Sequence, residues 1–303
     1  MSALLLKSKN ALNSTVEPLD YVVYKSRVIA DGGTIVNEQA TKAAIEFANV
    51  NGITESMAFS VTSPAWGIKV VNGQPNKLYS LFNSAGDIVV GVGNSAAIEL
   101  HTVDTYNTIL IKGSSANTLI SAGVANNVNN AGLCIISKPP TLAAGANYGP
   151  LNTFALGDLS NIDAASSASD RAARQILSMI NGRAGTSKMP VDWKFAAQGF
   201  GTTGGYTDAG SSAANWSSES AFIDNSGLVM YRSGTYVGID ATVTAPTYKD
   251  SIKFNIGRSI VPNIQALTYS NLYYGDIAEA WALVNTTSAI MQSVSLRASQ
   301  KYI

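Results

Sequence analysis

Short apolar runs separated by turn residues fill the chain from about residue 55 to residue 284. Each run is bounded by Gly, Asn, Ser or Pro, a pattern typical of the strands of a sandwich or barrel. The runs that predict strands are KLYSLF, DIVVGV, AAIEL, TILIKG, GLCIIS, WKFAAQGF, SAFID, GLVMYRSG, TYVGID, SIKFNIG and IAEAWALV. We therefore predict a mainly β protein.

The last predicted strand has two different faces. Between residues 275 and 284 large side chains, among them Glu279 and Trp281, alternate with small ones. Because strand side chains point to opposite sides in turn, one face is large and the other is small. We expect the large face to lie on a core and the small face to lie under a closely packed layer.

A helical pattern follows this strand to the end of the chain. Its apolar positions recur every three or four residues, which predicts a closing helix near residues 287–300. Thr287 or Ser288 is suited to cap the first turn. Arg297 and Lys301 are expected on the outward face, near the C-terminal end that favours positive charge.

The beginning of the chain has its own pattern. YVVYKSRVIADGGTIV is rich in β-branched and aromatic residues and predicts a strand that is broken by a turn at residues 31–33. NEQATKAAIEFANVNG then has a helical stripe, with Asn37 as its cap and Gly52 as its stop. We predict residues 1–52 as an arm with a strand-turn-helix element, and residues 53–303 as the main β domain.

One segment interrupts the strand pattern. In DAASSASDRAARQILSMINGRAG, Ala173, Ile176, Leu177 and Ile180 share a helical face, which predicts an inserted helix near residues 169–181. The glycine- and serine-rich tract GFGTTGGYTDAGSSAANWSSES after it predicts a long loop, and long loops often carry function.

Composition excludes some classes of function. Charged residues make up only 13% of the chain, and 20 basic residues balance 20 acidic ones. Without an excess of positive charge we expect no nucleic-acid binding and no attraction to anionic membranes. The first residues lack the apolar core of a signal peptide, and no apolar run is long enough for a membrane helix. We expect a protein made in the cytoplasm.

Several of these segments, taken in order, resemble one known family. GQPNKLYSLFNSAGDIV, YNTILIKGSSANTLISA, SIKFNIGRS and the ending YYGDIAEAWALVNTTSAIMQSVSLRASQKY resemble the concanavalin A-like (laminin-G-like) jelly-roll domain of tailed-bacteriophage and prophage virion structural proteins. YKSRVIADGGTIVNE resembles the front of many phage virion proteins. Lys112-Gly113-Ser114-Ser115 departs from the family, which has a Phe-Asp-Gly turn there. The resemblance implies an antiparallel jelly-roll sandwich that resides in a virion.

Enzymatic sites find little support in the sequence. A glycosidase of this fold class needs paired carboxylates, and Asp276 and Glu279 are three positions apart, so they are expected on opposite strand faces. His101 is the only histidine and Cys134 the only cysteine, too few for zinc, and His101 on a strand is expected to make ordinary hydrogen bonds. We interpret Cys134 as a buried, inert thiol.

Calcium needs oxygen ligands, and three loop residues are of that kind. They are Asp208, Asp224 and Asn225. Asp and Asn also form turns by bonding to their own backbone, and we prefer this interpretation. We therefore expect no cofactor, with calcium as the open alternative.

Three aromatic residues lie in glycine- or serine-rich surroundings. Tyr148, Tyr206 and Trp216 are suited to stack on sugar rings or to pack against neighbouring subunits, with subunit packing placed first. Trp66 and Trp193 lie in apolar or strand-like surroundings and are expected in the core.

These observations give an ordered set of functional hypotheses. The first is a non-enzymatic virion structural protein, tail-associated, fibre-like or capsid-decorating, that contacts other virion proteins and forms homo-oligomers, with residues 1–52 as its attachment element. The second is a receptor-recognition module that binds host surface glycans. The third is a polysaccharide-degrading enzyme.

Overall fold

The computed structural model describes residues 19–90, 98–112, 119–121, 128–138, 151–158, 175–182, 192–197, 216–241, 252–256 and 274–301. Within these residues the strands form two antiparallel sheets, and helices cover the outer face of one sheet. This arrangement confirms the predicted mainly β, antiparallel sandwich.

The described residues contain three α-helices and seventeen strands, joined by turns and loops. The helices are α1 (Tyr21–Ala30), α2 (Glu38–Val50) and α3 (Ser288–Lys301), and a short 3-10 helix spans Ser84–Gly86. The strands are β1 (Thr34–Ile35), β2 (Ala58–Thr62), β3 (Gly67–Val71), β4 (Gln74–Leu78), β5 (Ile88–Val90), β6 (Ile98–Val103), β7 (Tyr106–Lys112), β8 (Leu119–Ser121), β9 (Ala131–Lys138), β10 (Leu151–Asp158), β11 (Gln175–Gly182), β12 (Asp192–Ala197), β13 (Ser217–Asp224), β14 (Gly227–Arg232), β15 (Thr235–Asp240), β16 (Ile252–Ile256) and β17 (Tyr274–Val284). In this part of the chain, no helix combines the length and the apolar character needed to cross a membrane.

The two sheets differ in their strand order. The first sheet has the order β1-β3-β4-β5-β8-β16-β10-β11-β12, and the second has the order β15-β14-β13-β9-β17-β7-β6. One edge of β17 pairs with β9, while its other edge pairs first with β7 and then with β2. The last strand of the chain therefore lies at the centre of the second sheet.

A hydrophobic core fills the space between the sheets. Ile88 and Phe254 of the first sheet meet Leu133 of the second sheet there, and all three are buried. Ala280 and Ala282 of β17 belong to the same core. The small face of β17 thus lies under the closely packed first sheet, as expected.

A second core lies between the outer face of the second sheet and the helices. Trp281 and Leu283 of β17 pack there with Tyr24 of α1, Ile45 of α2 and Met291 of α3. The Trp281 side chain is fully buried. Both faces of β17 are therefore covered, the small face by the first sheet and the large face by helices.

The first helix corrects the predicted strand at the start of the chain. Residues Tyr21–Ala30 are helical because Asp20 caps them, its Oδ1 accepting from the Val22 amide at 2.6 Å and the Val23 amide at 3.1 Å. Packing of an amphipathic face overrides the β preference of YVVY. The predicted strand-turn-helix element is a helix-turn-strand-helix element.

Other predictions for this region are confirmed. A turn follows α1 at residues 31–32, and Gly32 has a φ of 77°. Asn37 caps α2 by accepting from the Ala40 amide at 2.9 Å. Gly52, with a φ of 65°, follows the end of α2 in the left-handed conformation that favours glycine.

Residues 19–52 are packed into the sandwich rather than set apart from it. β1 pairs with β3 at the edge of the first sheet. Arg27 of α1 donates to both carboxylate oxygens of the buried Asp87, at 2.9 and 3.0 Å, and the Tyr24 hydroxyl donates to the Tyr79 carbonyl. The domain boundary predicted at residue 52 is therefore wrong for these residues, and residues 1–18 lie outside the described part.

The helix predicted near residues 169–181 is wrong where the structure describes it. Residues Gln175–Gly182 form β11, which pairs with β10 on one side and β12 on the other. A short apolar run such as QILSMI is compatible with both a helix and a buried strand. The strand forms because its backbone groups find hydrogen-bonding partners on both neighbouring strands. Residues 169–174 lie outside the described part.

The closing helix is confirmed. Thr287 caps α3, its Oγ1 accepting from the Ile290 amide at 3.2 Å. Met291 and Val294 are fully buried on the second sheet. Gly132 of β9 permits this close approach, since a Cβ at that position would lie 2.4 Å from the Met291 sulfur.

Candidate functional site

A patch of aromatic and polar side chains lies on the second sheet beside the C-terminal end of α3. We call it the hairpin surface, because the β6–β7 hairpin supplies most of its residues. It consists of His101, Asp104, Tyr106, Thr108, Lys138, Trp216 and Asp276.

An aromatic pair forms the middle of the hairpin surface. The Tyr106 and Trp216 rings meet edge to face, with centroids 5.6 Å apart and an angle of 83° between the rings. They pack against the buried side chains of Ile136 and Ala278, and both rings remain partly exposed. Edge-to-face packing fixes the orientation of the two rings relative to each other.

Asp104 ties the hairpin turn to this pair. Its Oδ2 accepts from the Trp216 indole nitrogen at 3.0 Å and from the Lys138 ammonium. The hydrogen bonds from Lys138 and Trp216 lower the pKa of Asp104, so the carboxylate is ionised at neutral pH. Its Oδ1 accepts no hydrogen bond from the described residues, and the side chain is about half exposed.

The turn that carries Asp104 has an uncommon backbone. Asp104 and Thr105 both have positive φ angles, 48° and 73°, as a two-residue hairpin turn of the primed type requires. Asn and Gly are usual at such positions, while a β-branched residue such as Thr105 is strained there. The bonds that Asp104 makes to Trp216 and Lys138 hold this turn against the sheet.

His101 lies at the outer edge of the hairpin surface. Asp276 Oδ1 lies 3.2 Å from His101 Nδ1 and accepts from Thr108 Oγ1 at 2.7 Å. The expectation that His101 is a strand histidine with ordinary hydrogen bonds is confirmed. Because Nδ1 faces Asp276, the other ring nitrogen, Nε2, lies on the far side of the ring from the Asp276 carboxylate. The His101 side chain is 42% exposed.

The hairpin surface is joined to α3 by Lys301. The Tyr106 hydroxyl donates to the Lys301 backbone carbonyl at 2.5 Å, and Lys301 Nζ donates to Glu279 at 2.7 Å. A β-bulge between Ile277 and Glu279 shifts the side-chain alternation of β17. Asp276 and Glu279 therefore lie on the same outer face, and their predicted placement on opposite faces is wrong.

Of the predicted aromatic and calcium-site residues that the structure describes, Trp216 belongs to the hairpin surface and the other two do not. Asp224 and Asn225 lie at the opposite end of β13, where Asp224 Oδ1 accepts from the Ser226 amide in the turn to β14. The turn interpretation is thus confirmed for Asp224, and Asn225 lies in the same turn. Tyr148, Tyr206 and Asp208 lie outside the described residues. Within the described residues, no group of three or more His, Cys, Asp or Glu side chains is placed to hold a metal ion.

The sequence contained a signal for the residues that were missed. Asp104 lies in the turn of VDTY and Tyr106 directly follows it, between two alternating apolar stretches, which is the pattern of a tight hairpin. Lys138 directly follows the buried strand residues of GLCIIS. Which side chains these strands bring together depends on the sheet order, which local patterns do not specify.

The cysteine takes no part in the site. Cys134 lies in the second core and is almost fully buried. Burial raises the pKa of its thiol to about 12, so the thiol is protonated and unreactive at neutral pH. This confirms the interpretation of Cys134 as an inert core residue.

Comparison with known proteins identifies the fold and no family. No protein-family model and no characterised protein matches the sequence. A GH54 α-L-arabinofuranosidase soaked with a cyclic sulfate inhibitor is similar over 85% of this chain and 65% of its own, with 8% sequence identity and a TM-score of 0.51.

Two further solved structures are similar at a lower level. The botulinum neurotoxin serotype D ligand-binding domain in complex with N-acetylneuraminic acid has a TM-score of 0.48 and 9% identity, over 83% of this chain and 52% of its own. Trypanosoma rangeli sialidase in complex with sialic acid has a TM-score of 0.47 and 11% identity, over 78% of this chain and 32% of its own. This chain thus matches about half of the toxin domain and a third of the sialidase, and the similarity extends to the fold alone.

Proposed function

We propose that this chain is a non-enzymatic recognition module that binds carbohydrate on its hairpin surface. The observation that carries the proposal is the partly exposed pair of Tyr106 and Trp216, bordered by the Asp104 carboxylate and His101. Sugars present C–H groups that pack on aromatic rings and hydroxyl groups that need hydrogen-bonding partners. The hairpin surface offers both kinds of partner in one patch.

The charges around the aromatic pair favour a neutral sugar. The two lysines beside the pair are each held by a carboxylate, Lys138 by Asp104 and Lys301 by Glu279. An acidic sugar would have to compete with these carboxylates for the cations. Asp104 Oδ1 is an acceptor for the hydroxyl groups that every neutral sugar carries.

The environment of Glu279 supports binding without catalysis. Among the carboxylates of β17, Glu279 is fully buried and accepts hydrogen bonds from Trp281, Arg297 and Lys301. A glycosidase acid needs a carboxyl group that reaches the scissile bond and carries a proton at working pH. The similarity to the arabinofuranosidase concerns the fold, and a fold hosts many functions.

Binding can be tested by calorimetric titration with neutral and acidic oligosaccharides. We expect saturable binding of a neutral oligosaccharide, a loss of affinity of about tenfold or more in Trp216→Ala, and a smaller loss in Asp104→Asn. Tyr236→Ala is the matched control, since Tyr236 is an exposed aromatic residue on β15, away from the hairpin surface. Absence of binding by the unaltered protein, or equal affinity of the Trp216→Ala variant, would contradict the proposal.

A second candidate function is that of a bacteriophage virion structural protein, tail-associated, fibre-like or capsid-decorating. It is supported by the resemblance of the sequence ending, and by an exposed helix face without charged residues. Val22, Val23 and Ile29 of α1 are 67%, 70% and 56% exposed, and Ser26 and Ala30 complete that face. Exposed apolar side chains grouped on one face are typical of protein–protein contacts.

Particle incorporation tests this second function. The double variant Val23→Asp, Ile29→Asp should fold normally, because both side chains are exposed, and should fail to enter particles that the unaltered protein enters. Gln39→Asp, an exposed change on α2, is the control. Equal incorporation of the double variant would exclude this face as the attachment surface.

A further inference from the structure

Lys301 connects the interior of the protein to the hairpin surface. Its ammonium group donates to Glu279 Oε1 at 2.7 Å, and its backbone carbonyl accepts from the Tyr106 hydroxyl at 2.5 Å. The same residue therefore contacts a fully buried carboxylate with its side chain and the aromatic pair with its backbone.

The inner contact is a strong one. Arg297 Nη1 lies 2.9 Å from both carboxylate oxygens of Glu279, and the Trp281 indole nitrogen donates at 3.0 Å. A buried carboxylate is stable only when its charge is paired and its oxygens accept hydrogen bonds. Glu279 thus holds the last two turns of α3 against the sheet by binding two cations of the helix, Arg297 and Lys301.

The outer contact, between the Tyr106 hydroxyl and the Lys301 backbone carbonyl, lies at the C-terminal end of α3. The last four carbonyls of a helix have no partner within the helix, and the Lys301 carbonyl is among them. Tyr106 supplies a donor for it, which fixes the position of the phenol ring. The indole of Trp216 packs edge to face on that ring.

We infer that Lys301 is a positioning residue for the hairpin surface. Through its ion pair with Glu279 it fixes the helix end that holds Tyr106, and thereby the orientation of Tyr106 against Trp216. The consequence for ligand affinity rests on the proposed carbohydrate binding, while the consequence for the aromatic pair does not.

Lys301→Met tests this role, because methionine keeps the backbone carbonyl and much of the side-chain length but removes the cation. In the protein without ligand, the indole N–H resonance of Trp216 should shift or broaden in ¹⁵N-correlated NMR spectra. Lys301→Arg keeps the cation and should preserve the resonance, and the neighbouring exposed change Gln300→Met should leave it unaltered. An unaltered Trp216 resonance in Lys301→Met would overturn the inference.

A double-mutant cycle then tests the route through Tyr106. We expect Lys301→Met and Tyr106→Phe each to weaken sugar binding by about tenfold, or about 1.4 kcal/mol, and the double variant to lose little more than either. Additive losses would contradict a route through Tyr106. If the unaltered protein binds no sugar, the proposed function fails, and the indole resonance still decides the role of Lys301.

Discussion

Glu279 is the residue on which the region around α3 depends most. Its carboxylate is fully buried beside the second core, and its hydrogen-bond partners include Arg297, Lys301 and Trp281. The helical pattern alone placed Arg297 and Lys301 on the outward face of the closing helix. Long basic side chains can lie along a helix and reach inward, and a β-bulge turns Glu279 towards them. Neither effect leaves a periodic signal in the sequence.

Glu279→Gln should be strongly destabilising. The change leaves Arg297 and Lys301 facing a neutral amide in a buried position, and we expect a loss of about 3–5 kcal/mol in the free energy of unfolding. Urea denaturation followed by tryptophan fluorescence measures it. Glu46→Gln is the control, because Glu46 is exposed on α2, and it should change stability by less than about 0.5 kcal/mol. A loss in Glu279→Gln as small as that of the control would show that the cluster contributes little.

The ion pairs of Glu279 should also make the stability of the protein depend on pH. Burial raises the pKa of Glu279, but Arg297 and Lys301 outweigh burial and lower the pKa from 4.5 to about 2. A depressed pKa stabilises the folded state above the unfolded value, so this contribution should be complete above about pH 4.5 and lost as the pH falls towards 2. Glu279→Gln should lack that part of the pH profile. If the free energy of unfolding falls equally in both proteins between about pH 4.5 and pH 2, the lowered pKa of Glu279 is contradicted.

At the level of elements, local capping decided which patterns were interpreted correctly. The sequence predicts Asn37 as one cap and Thr287 or Ser288 as the other, and Asn37 and Thr287 cap α2 and α3. Asp20 was not recognised, so YVVY was interpreted as a strand although Asp20 starts a helix. The error at β11 runs the other way, because a helix is predicted where the chain forms a strand. Its helical pattern is overridden by pairing with β10 and β12, which the local sequence does not reveal.

Asp20→Ala tests the origin of α1. Two backbone amides at the start of the helix lose their acceptor, and we expect the protein to lose about 1 kcal/mol of stability. Asp20→Asn should retain most of it, because the amide oxygen can still accept. Thermal unfolding followed by circular dichroism measures both variants. Equal stability of Asp20→Ala and the unaltered protein would mean that packing alone fixes α1.

For the whole molecule, the sandwich and its N-terminal helices form one packed unit. Each of the eleven apolar runs that predicted strands overlaps a strand of the two sheets, although KLYSLF shares only Lys77 and Leu78 with β4. The sequence did not reveal that residues 19–52 complete the second core, because their apolar residues, such as Tyr24 and Ile45, meet Trp281 only after the whole sheet has formed. Contacts between such distant positions are set by topology and not by local periodicity.

Removal of residues 1–52 should therefore prevent folding. The shortened chain loses the contacts that α1 and α2 make in the second core, among them the edge-to-face contact of Phe47 with Trp281. We expect aggregation or a red-shifted tryptophan emission without a cooperative unfolding transition. Gln39→Asp, an exposed change on α2, is the control and should retain that transition. A soluble, cooperatively folded 53–303 fragment would restore the boundary predicted at residue 52.

Carbohydrate binding by the hairpin surface is tested most directly at Trp216 itself. The chain has four tryptophans, whose indole N–H groups give separate NMR resonances, and the missing signal in Trp216→Ala identifies the one that donates to Asp104. During titration with a neutral oligosaccharide, that resonance should move saturably while those of the buried Trp66 and Trp281 stay in place. If the oligosaccharide leaves the Trp216 resonance unmoved, the hairpin surface is not the binding site.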